Sequence, residues 1–251
     1  MKSILAVLIL VLGGAALAGA EAPADILARS DANRTIADLA FAVQVTSYDG
    51  AQVSDQSGLW GVLKLAKDHN RVLLSFQTPA SKHGQRFLVD GDAVYVLFEH
   101  TTNPIRVSPL EVLTGQASDG DVVRTFASDY NVTSMTEDTF EGQPALHFDL
   151  AAREGGNTSS YKKVQLWIEP QSLRLVYAEY YAASGALLKK AFYKGYQTVL
   201  GKDFPTAIDI LAGDNAQKHT KMVFTKFAKQ VLPDTSFRRT ALTFWTPEEP
   251  R

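Results

Sequence analysis

Apolar and polar residues alternate with a period of two along most of the chain, a pattern that predicts half-buried β-strands. The alternation starts near residue 36, where Leu39, Phe41, Val43 and Val45 share one face of the first predicted strand. Further strands are predicted at residues 57–67, 71–77, 85–89, 93–100, 130–137, 145–151, 161–169, 174–182, 186–199, 205–211 and 218–227. Short turns rich in Gly, Asp and Asn separate them, so we expect an antiparallel meander.

Helical patterns occur at the two ends of this series of strands. Residues 24–34 place apolar residues at roughly helical spacing, with Asp25 near the start and Arg34 at the end, as the helix dipole favours. A second short helix is predicted around residues 236–242.

The first twenty residues predict a secretory signal peptide. Lys2 precedes a continuous apolar run at residues 4–12, and small residues at 18–20 form a cleavage site before Glu21. The apolar run is too short to span a membrane. We therefore assign residues 1–20 to the signal peptide and expect residues 21–251 to form one domain.

The predicted strands are too many for a flat sheet, since a sheet of about eleven strands is expected to curl. One face of the strands is apolar and the other carries Lys, Glu, Gln and Thr, so the sheet should curl around its apolar face. The expected result is a closed or nearly closed barrel.

The alternation is interrupted at residues 104–126, and a stretch this long without strands is uncommon inside a compact domain. Its apolar residues, such as Val107, Leu110 and Leu113, need a surface to cover. The stretch therefore predicts a partly helical lid that, together with the N-terminal helix, covers the mouth of the barrel.

Local sequence within this stretch predicts a helix start and two turns. Ser108 is suited to the N-cap position and Pro109 to the first helical position. Gly115 and Gly120 either end helices and form turns, or act as hinges. Both roles are open at this point, as is the choice between a fixed plug and a moving lid.

Composition and charge exclude several function classes. The chain has no cysteine, which excludes a disulfide framework, a thiol nucleophile and a thiolate metal site. Its formal net charge is −2 with both signs interspersed, so nucleic acid is not an expected partner. The five histidines lie outside hydrolase and zinc signatures, and the acidic residues near 90–92 and 119–121 lack calcium-loop spacing. We expect neither catalysis nor a bound metal or other cofactor.

Three segments of the chain are similar to a known family. They are residues 104–109 (PIRVSP) running into 113–125 (LTGQASDGDVVRT), residues 164–169 (VQLWIE), and residues 178–189 (AEYYAASGALLK) followed by Tyr196 and Pro205. Through them the chain resembles the periplasmic lipoprotein-carrier (LolA/LolB-like) superfamily, in particular its branch of outer-membrane lipoprotein-sorting proteins. The resemblance covers essentially the whole chain after the signal peptide, and the GQASDGD segment is its most specific part.

The resemblance implies a mainly β fold, an incomplete antiparallel β-barrel of about eleven strands closed by short helices. It implies a soluble periplasmic carrier or chaperone whose apolar cavity binds the acyl chains of a lipid or lipoprotein and transfers them towards the outer membrane. An inner-membrane exporter of lipids or lipoproteins is a further implied partner, and we expect the carrier to be a monomer.

Candidate ligand-binding residues are large apolar side chains of the predicted strands and of the lid. They are Phe41, Val43, Trp60, Val62, Leu74, Phe76, Phe87, Val96, Phe98, Val107, Leu110, Leu113, Phe148, Leu166, Tyr180, Phe192 and Phe224. Candidate lid and hinge residues are Arg106, Pro109, Gly115, Gln116, Gly120, Asp121 and Arg124. Proteins of this family use an arginine that binds the lid, and no motif identifies that arginine in this sequence. Arg106 and Arg124 are candidates because they flank the lid.

Two alternatives stay open from the sequence. The apolar residues could fill an ordinary barrel core and leave no cavity. The protein could also be a non-catalytic accessory or sensor module that docks a lipid-exporting membrane transporter without a ligand of its own.

Overall fold

The alternating sequence folds into one antiparallel sheet of 13 strands. The computed structural model describes residues 21–65, 70–91, 93–107, 112–118, 125–154 and 161–250, with the backbone alone for residues 112–114 and 118. The predicted signal peptide and the predicted helix start at residues 108–111 lie outside these residues.

The secondary-structure elements fall into two runs of strands with a small hairpin between them. The first half contains α1 (Pro23–Arg34), β1 (Leu39–Asp49), β2 (Gln52–Leu65), β3 (Asn70–Thr78), β4 (Arg86–Asp90), β5 (Ala93–Leu97) and β6 (Ile105–Val107). The hairpin consists of β7 (Val112–Thr114) and β8 (Ala117–Ser118). The second half contains α2 (Phe126–Asp129), β9 (Tyr130–Phe140), β10 (Gln143–Ala152), β11 (Lys163–Ile168), β12 (Leu175–Tyr181), β13 (Leu187–Val199), β14 (Lys202–Ala212), β15 (Lys218–Lys229) and 3-10 helices at Asp234–Phe237 and Arg239–Thr243.

The strand order differs from a simple meander in one respect. The sheet runs β6-β5-β4-β3-β2-β1-β15-β14-β13-β12-β11-β10-β9, so the first and last strands pair in its interior. Two meanders are thereby joined at β1 and β15, and β6 and β9 become the edges of the sheet. The sheet does not close, which confirms the incomplete antiparallel barrel that the resemblance implied, with 13 strands.

The largest differences from the predicted strands are at β2 and β6. Strand β2 begins at Gln52 rather than at residue 57, because its mostly polar first residues pair with the end of β1, including Gln52 with Asp49. Residues 105–107, predicted to belong to the lid, instead form β6 and pair with β5. Backbone pairing with a neighbouring strand decided both boundaries, and the local pattern of side chains carries little information about such pairing.

The concave face of the sheet carries the larger of two buried apolar clusters. Inward-facing residues of nearly every strand of the sheet meet there, together with Leu27 of α1, Ala117 of β8 and Phe126 of α2. Helix α1 packs against β14, β9 and α2. The short helices thus cover the apolar face of the open sheet, as expected from its amphipathic strands.

Helix α1 is fixed in place by buried polar contacts. The Ser30 hydroxyl donates to the carbonyl of Leu173 at 2.8 Å, and the Asp31 carboxylate accepts the amide N–H of Ala127 at 2.7 Å. Asp31 also pairs with Arg34. Burial lowers the pKa of the Arg34 guanidinium and is the largest single influence on it, but the charge of Asp31, the hydrogen bond to Asp31 and the electrostatic contributions of Tyr193 and Tyr196 together outweigh burial and raise that pKa above its ordinary value.

The outer face of the first meander is covered by the C-terminal segment. Phe237, Leu242 and Trp245 pack there against outward-facing residues such as Leu73 and Leu88, forming the second cluster. These strands are therefore buried on both faces, which explains the continuous apolar run in β3. Among the described residues, no helix is both long and apolar enough to cross a membrane.

The packing of the C-terminal segment gives a stability prediction. Phe237 is 2 % exposed and Phe244 is 83 % exposed. We expect Phe237→Ala to lower the free energy of unfolding by about 3 kcal/mol, because it removes a buried ring. Phe244→Ala, the matched control, should change it by less than about 0.5 kcal/mol. Denaturant unfolding measures both values, and equal effects would contradict the packing of this segment on the sheet.

Candidate functional site

One row of paired residues shows how the concave face is built. The row crosses β10 to β15 and then β1, and all of its side chains are buried. In order across the sheet they are Phe148, Leu166, Ala178, Ala191, Ile210, Thr220 and Ser47. The concave face is therefore apolar along this row of the second meander and polar where the two meanders join.

The hairpin of β7 and β8 docks on this polar junction. The backbone N–H of Gln116 donates to the Thr220 hydroxyl oxygen at 2.7 Å, and that oxygen lies 3.2 Å from the Ser47 hydroxyl. Ala117 of the hairpin is fully buried in the concave cluster. The hairpin thus lies over the concave face and is held by a small set of polar contacts and one buried methyl group.

The turn of the hairpin requires glycine at residue 115. Gly115 has φ +60°, a left-handed conformation that glycine adopts readily. A Cβ atom at this position would lie 1.9 Å from the Ser47 hydroxyl oxygen and 2.3 Å from that of Thr220. The backbone can approach the two hydroxyls only because residue 115 has no side chain.

A lysine and three tyrosines lie beside this junction on the concave face. Lys189 is 5 % exposed, and its ammonium nitrogen lies 4.8 Å from the ring centre of Tyr161 and 5.5 Å from that of Tyr180. The hydroxyls of Tyr180 and Tyr193 are 2.9 Å apart. Cations are attracted to aromatic faces at such distances, so the rings accommodate the charge of Lys189 inside the fold.

Most of the predicted ligand-binding residues lie on the concave face. Ten of them belong to its buried cluster: Phe41, Val43, Leu74, Phe76, Phe87, Val96, Phe148, Leu166, Tyr180 and Phe224. Val107 is partly buried and packs against the same cluster.

Four predicted ligand-binding residues lie elsewhere. Val62 belongs to the outer cluster, and Trp60 has the same strand parity, so it also faces outward. Phe98 is 46 % exposed. Phe192 lines two outer grooves, of about 260 Å³ and about 590 Å³. These four assignments are corrected, since size and aromatic character do not distinguish one face of a strand from the other.

The predicted lid and hinge residues are only partly described. Gly115 and Gln116 form the turn of the docked hairpin, and Arg106 is exposed in edge strand β6. The following residues lie outside the described part of the chain: Pro109, Leu110, Gly120, Asp121, Arg124 and the side chain of Leu113.

The sequence analysis missed three residues of the site. Ser47, Thr220 and Lys189 each occupy an inward-facing position in an otherwise apolar series, as Ser47 does after Val43 and Val45. A polar residue at such a position can be recognised in the period-two pattern of the sequence. Its partners could not be identified from the pattern, because they come from distant strands.

Comparison with known proteins agrees with this architecture. A LolA superfamily protein from Nitrosomonas europaea is 26% identical, with 85% of this chain and 96% of that chain covered, at a TM-score of 0.75. A DUF1329 family protein from Desulfovibrio piger is 19% identical, with 87% and 97% covered, at a TM-score of 0.75. The comparison with curated proteins finds no match.

A third solved structure of the same fold is described as an outer membrane lipoprotein-sorting protein domain, from Vibrio parahaemolyticus. It is 18% identical, with 88% of this chain and 97% of that chain covered, at a TM-score of 0.75. A family model described as "Uncharacterized protein" matches residues 68–243, which is more than half of the chain. The chain therefore belongs to the family of that model, and its fold is similar to that of the LolA superfamily protein.

Proposed function

We propose that the protein is a carrier that binds the acyl chains of a lipid or lipoprotein on the concave face of its sheet. The observation that supports this most is the broad apolar concave face, which is covered by a hairpin that is not itself part of the sheet. The proposed function is binding and transfer, without a chemical reaction.

The concave face has the chemistry that an acyl ligand needs. Each CH₂ group removed from water contributes roughly 0.8 kcal/mol, so a chain of about twelve carbons gains about 10 kcal/mol before the cost of association. Buried residues such as Phe41, Phe148 and Leu166 can supply this environment without specific polar contacts. Acyl binding is therefore compatible with a sequence that has no sharp binding motif.

The hairpin is the proposed lid. Its described contacts with the sheet include the hydrogen bond from Gln116 to Thr220 and the buried Ala117. A net hydrogen bond contributes only about 1 kcal/mol, so we expect lifting the hairpin to cost less than separating the paired strands of the sheet. The lid can thus open to admit an acyl chain while the rest of the fold stays intact.

The setting of this carrier follows from the sequence. The apolar run at residues 4–12 supports export as a signal peptide, and we place the carrier in the periplasm. The family resemblance supports an inner-membrane exporter as the donor and the outer membrane as the destination. A monomer is sufficient, since one sheet provides the whole concave face.

A spectroscopic experiment tests the ligand and its location together. The native tryptophans, Trp60, Trp167 and Trp245, all lie on the outer side of the sheet. We expect a nitroxide-labelled fatty acid to bind saturably to the purified protein and to quench them weakly. In Phe148→Trp the added tryptophan faces inward, so its fluorescence should be strongly quenched.

The matched control is Phe192→Trp, which adds a tryptophan on the outer face. Its fluorescence should be quenched no more than that of the native tryptophans. Phe41→Trp provides a second inward reporter, from the first meander. Equal quenching at both faces would contradict the proposed location. Absence of saturable binding would contradict the carrier function and favour the module that docks a transporter without a ligand of its own.

A glycine substitution tests whether the hairpin moves. Gly115→Ala introduces a methyl group that clashes with Ser47 and Thr220 when the hairpin is docked. We expect the docked state to lose at least about 1.4 kcal/mol, so that acyl-probe association in a stopped-flow experiment becomes about tenfold faster.

The control for this substitution is Gly185→Ala. Gly185 also has a positive φ, +83°, but no atom lies within 4 Å of an added Cβ. Gly185→Ala therefore introduces backbone strain without a clash, and its rate of probe association should equal that of the native protein. If Gly115→Ala binds the probe at the native rate as well, the hairpin is a fixed plug and not a lid.

A further inference from the structure

Lys189 differs in kind from the other residues that line the concave face. Among the described residues of the sheet, it is the only charged side chain that is buried. It lies on β13 and pairs with Tyr180 of β12 and Ala212 of β14. Its row continues across the second meander through Val164 and Leu150, both fully apolar and buried.

The position of Lys189 marks one end of the concave face as polar. The neighbouring row contains Thr220 and Ser47, the hydroxyls on which the hairpin docks, and these two residues and Lys189 all lie within three positions of the same end of their strands. Thr220 lies two strands and one row from Lys189, which is about 12 Å at the usual spacing between strands and between residues. An acyl chain on the apolar part of the face would therefore have its head group beside Lys189 and under the hairpin.

Because burying a lysine costs free energy, we expect the positive charge of Lys189 to serve a function. Transfer of an ammonium group into a protein interior is expensive, and an apolar residue of similar size at such a site often gives equal or greater stability. The rings of Tyr161 and Tyr180 lower this cost. A lysine held in this way is a compact point charge suited to a carboxylate or a phosphate.

We propose that Lys189 binds the anionic head group of the acyl ligand, so that the carrier prefers acyl carboxylates or phosphates over neutral acyl compounds. This inference rests on the proposed carrier function. The apolar face supplies affinity for the chain, and Lys189 supplies the preference for a charged end and fixes the direction in which the ligand lies.

The experiment compares charged and neutral probes that have the same chain. Purified native protein is titrated with a dansyl-labelled undecanoic acid and with its methyl ester. Lys189→Met removes the charge and keeps the length of the side chain. We expect it to weaken binding of the acid by about tenfold or more, the usual effect of losing a hydrogen bond to a charged group. Binding of the ester should stay unchanged.

The neighbouring residue supplies the matched control. Lys190 faces the outer side of the same strand, where its ammonium nitrogen lies 4.0 Å from a carboxylate oxygen of Glu179. Lys190→Met removes one positive charge from almost the same place in the chain, and it should leave the affinities for both probes unchanged. Lys189→Arg keeps the charge and should retain the preference for the acid.

A second pair of ligands separates the two sources of an anionic group. A lysophosphatidic acid and the corresponding neutral monoacylglycerol compete with the dansyl acid for the native protein. Stronger competition by the phosphate than by an unlabelled fatty acid identifies a phosphate head group, and the reverse identifies a carboxylate. Either result supports a site for an anion.

Several outcomes would overturn the inference. Equal losses for the acid and the ester in Lys189→Met, or a loss of the same size in Lys190→Met, would show that the charge of Lys189 is not what recognises the ligand. Should Lys189→Met fail to fold, equal affinities of the native protein for acid and ester overturn it instead. Native protein that binds neither probe would overturn the carrier function itself.

Discussion

The pairing of β1 with β15 is the interaction on which the rest of the structure depends. It joins the two meanders through a ladder that runs from Leu39 opposite Lys229 to Asp49 opposite Lys218. Because the first and last strands lie in the interior of the sheet, the strands from the middle of the chain, β6 and β9, become its edges. The segment that connects them must then pass from one edge of the open sheet to the other. The hairpin lies within this segment, and its contacts with Thr220 and the concave cluster place it over the concave face.

The same junction gives the concave face its polarity. Ser47 and Thr220 are 173 positions apart in the chain, and the pairing brings their hydroxyls within hydrogen-bond distance. Buried hydroxyls are costly unless they have partners, and here they satisfy each other and the amide of Gln116. Lys189 adds a charge near this end. An apolar surface by itself binds a chain in either direction, whereas a surface with one polar end can distinguish the two ends of a ligand.

The two meanders differ in what covers their outer faces, and their sequences reflect this. The C-terminal segment covers the outer face of the first meander, so β3 is buried on both sides. The outer face of the second meander carries partly exposed residues, and β11 alternates regularly between buried and partly exposed or exposed positions. The regular alternation predicted the inward orientation of Phe148 and Leu166 correctly, whereas Phe192 of β13 was assigned to the wrong face. In the first meander the extra apolar residues led to Val62 being assigned to the wrong face.

The sequence by itself determined the strands other than β6, β7 and β8, the approximate positions of their ends, the N-terminal helix and the C-terminal helical turns, because these follow from local periodicity. It also indicated the fold class and ten buried residues of the concave face. Only the tertiary structure decided which strands are neighbours, where β2 and β6 begin, and that Ser47, Gly115 and Thr220 meet. Period-two alternation records that a residue lies on one of two faces, but not which residue from another strand it will contact. Those contacts come from pairing between distant parts of the chain, and the docking site of the hairpin is formed by them alone.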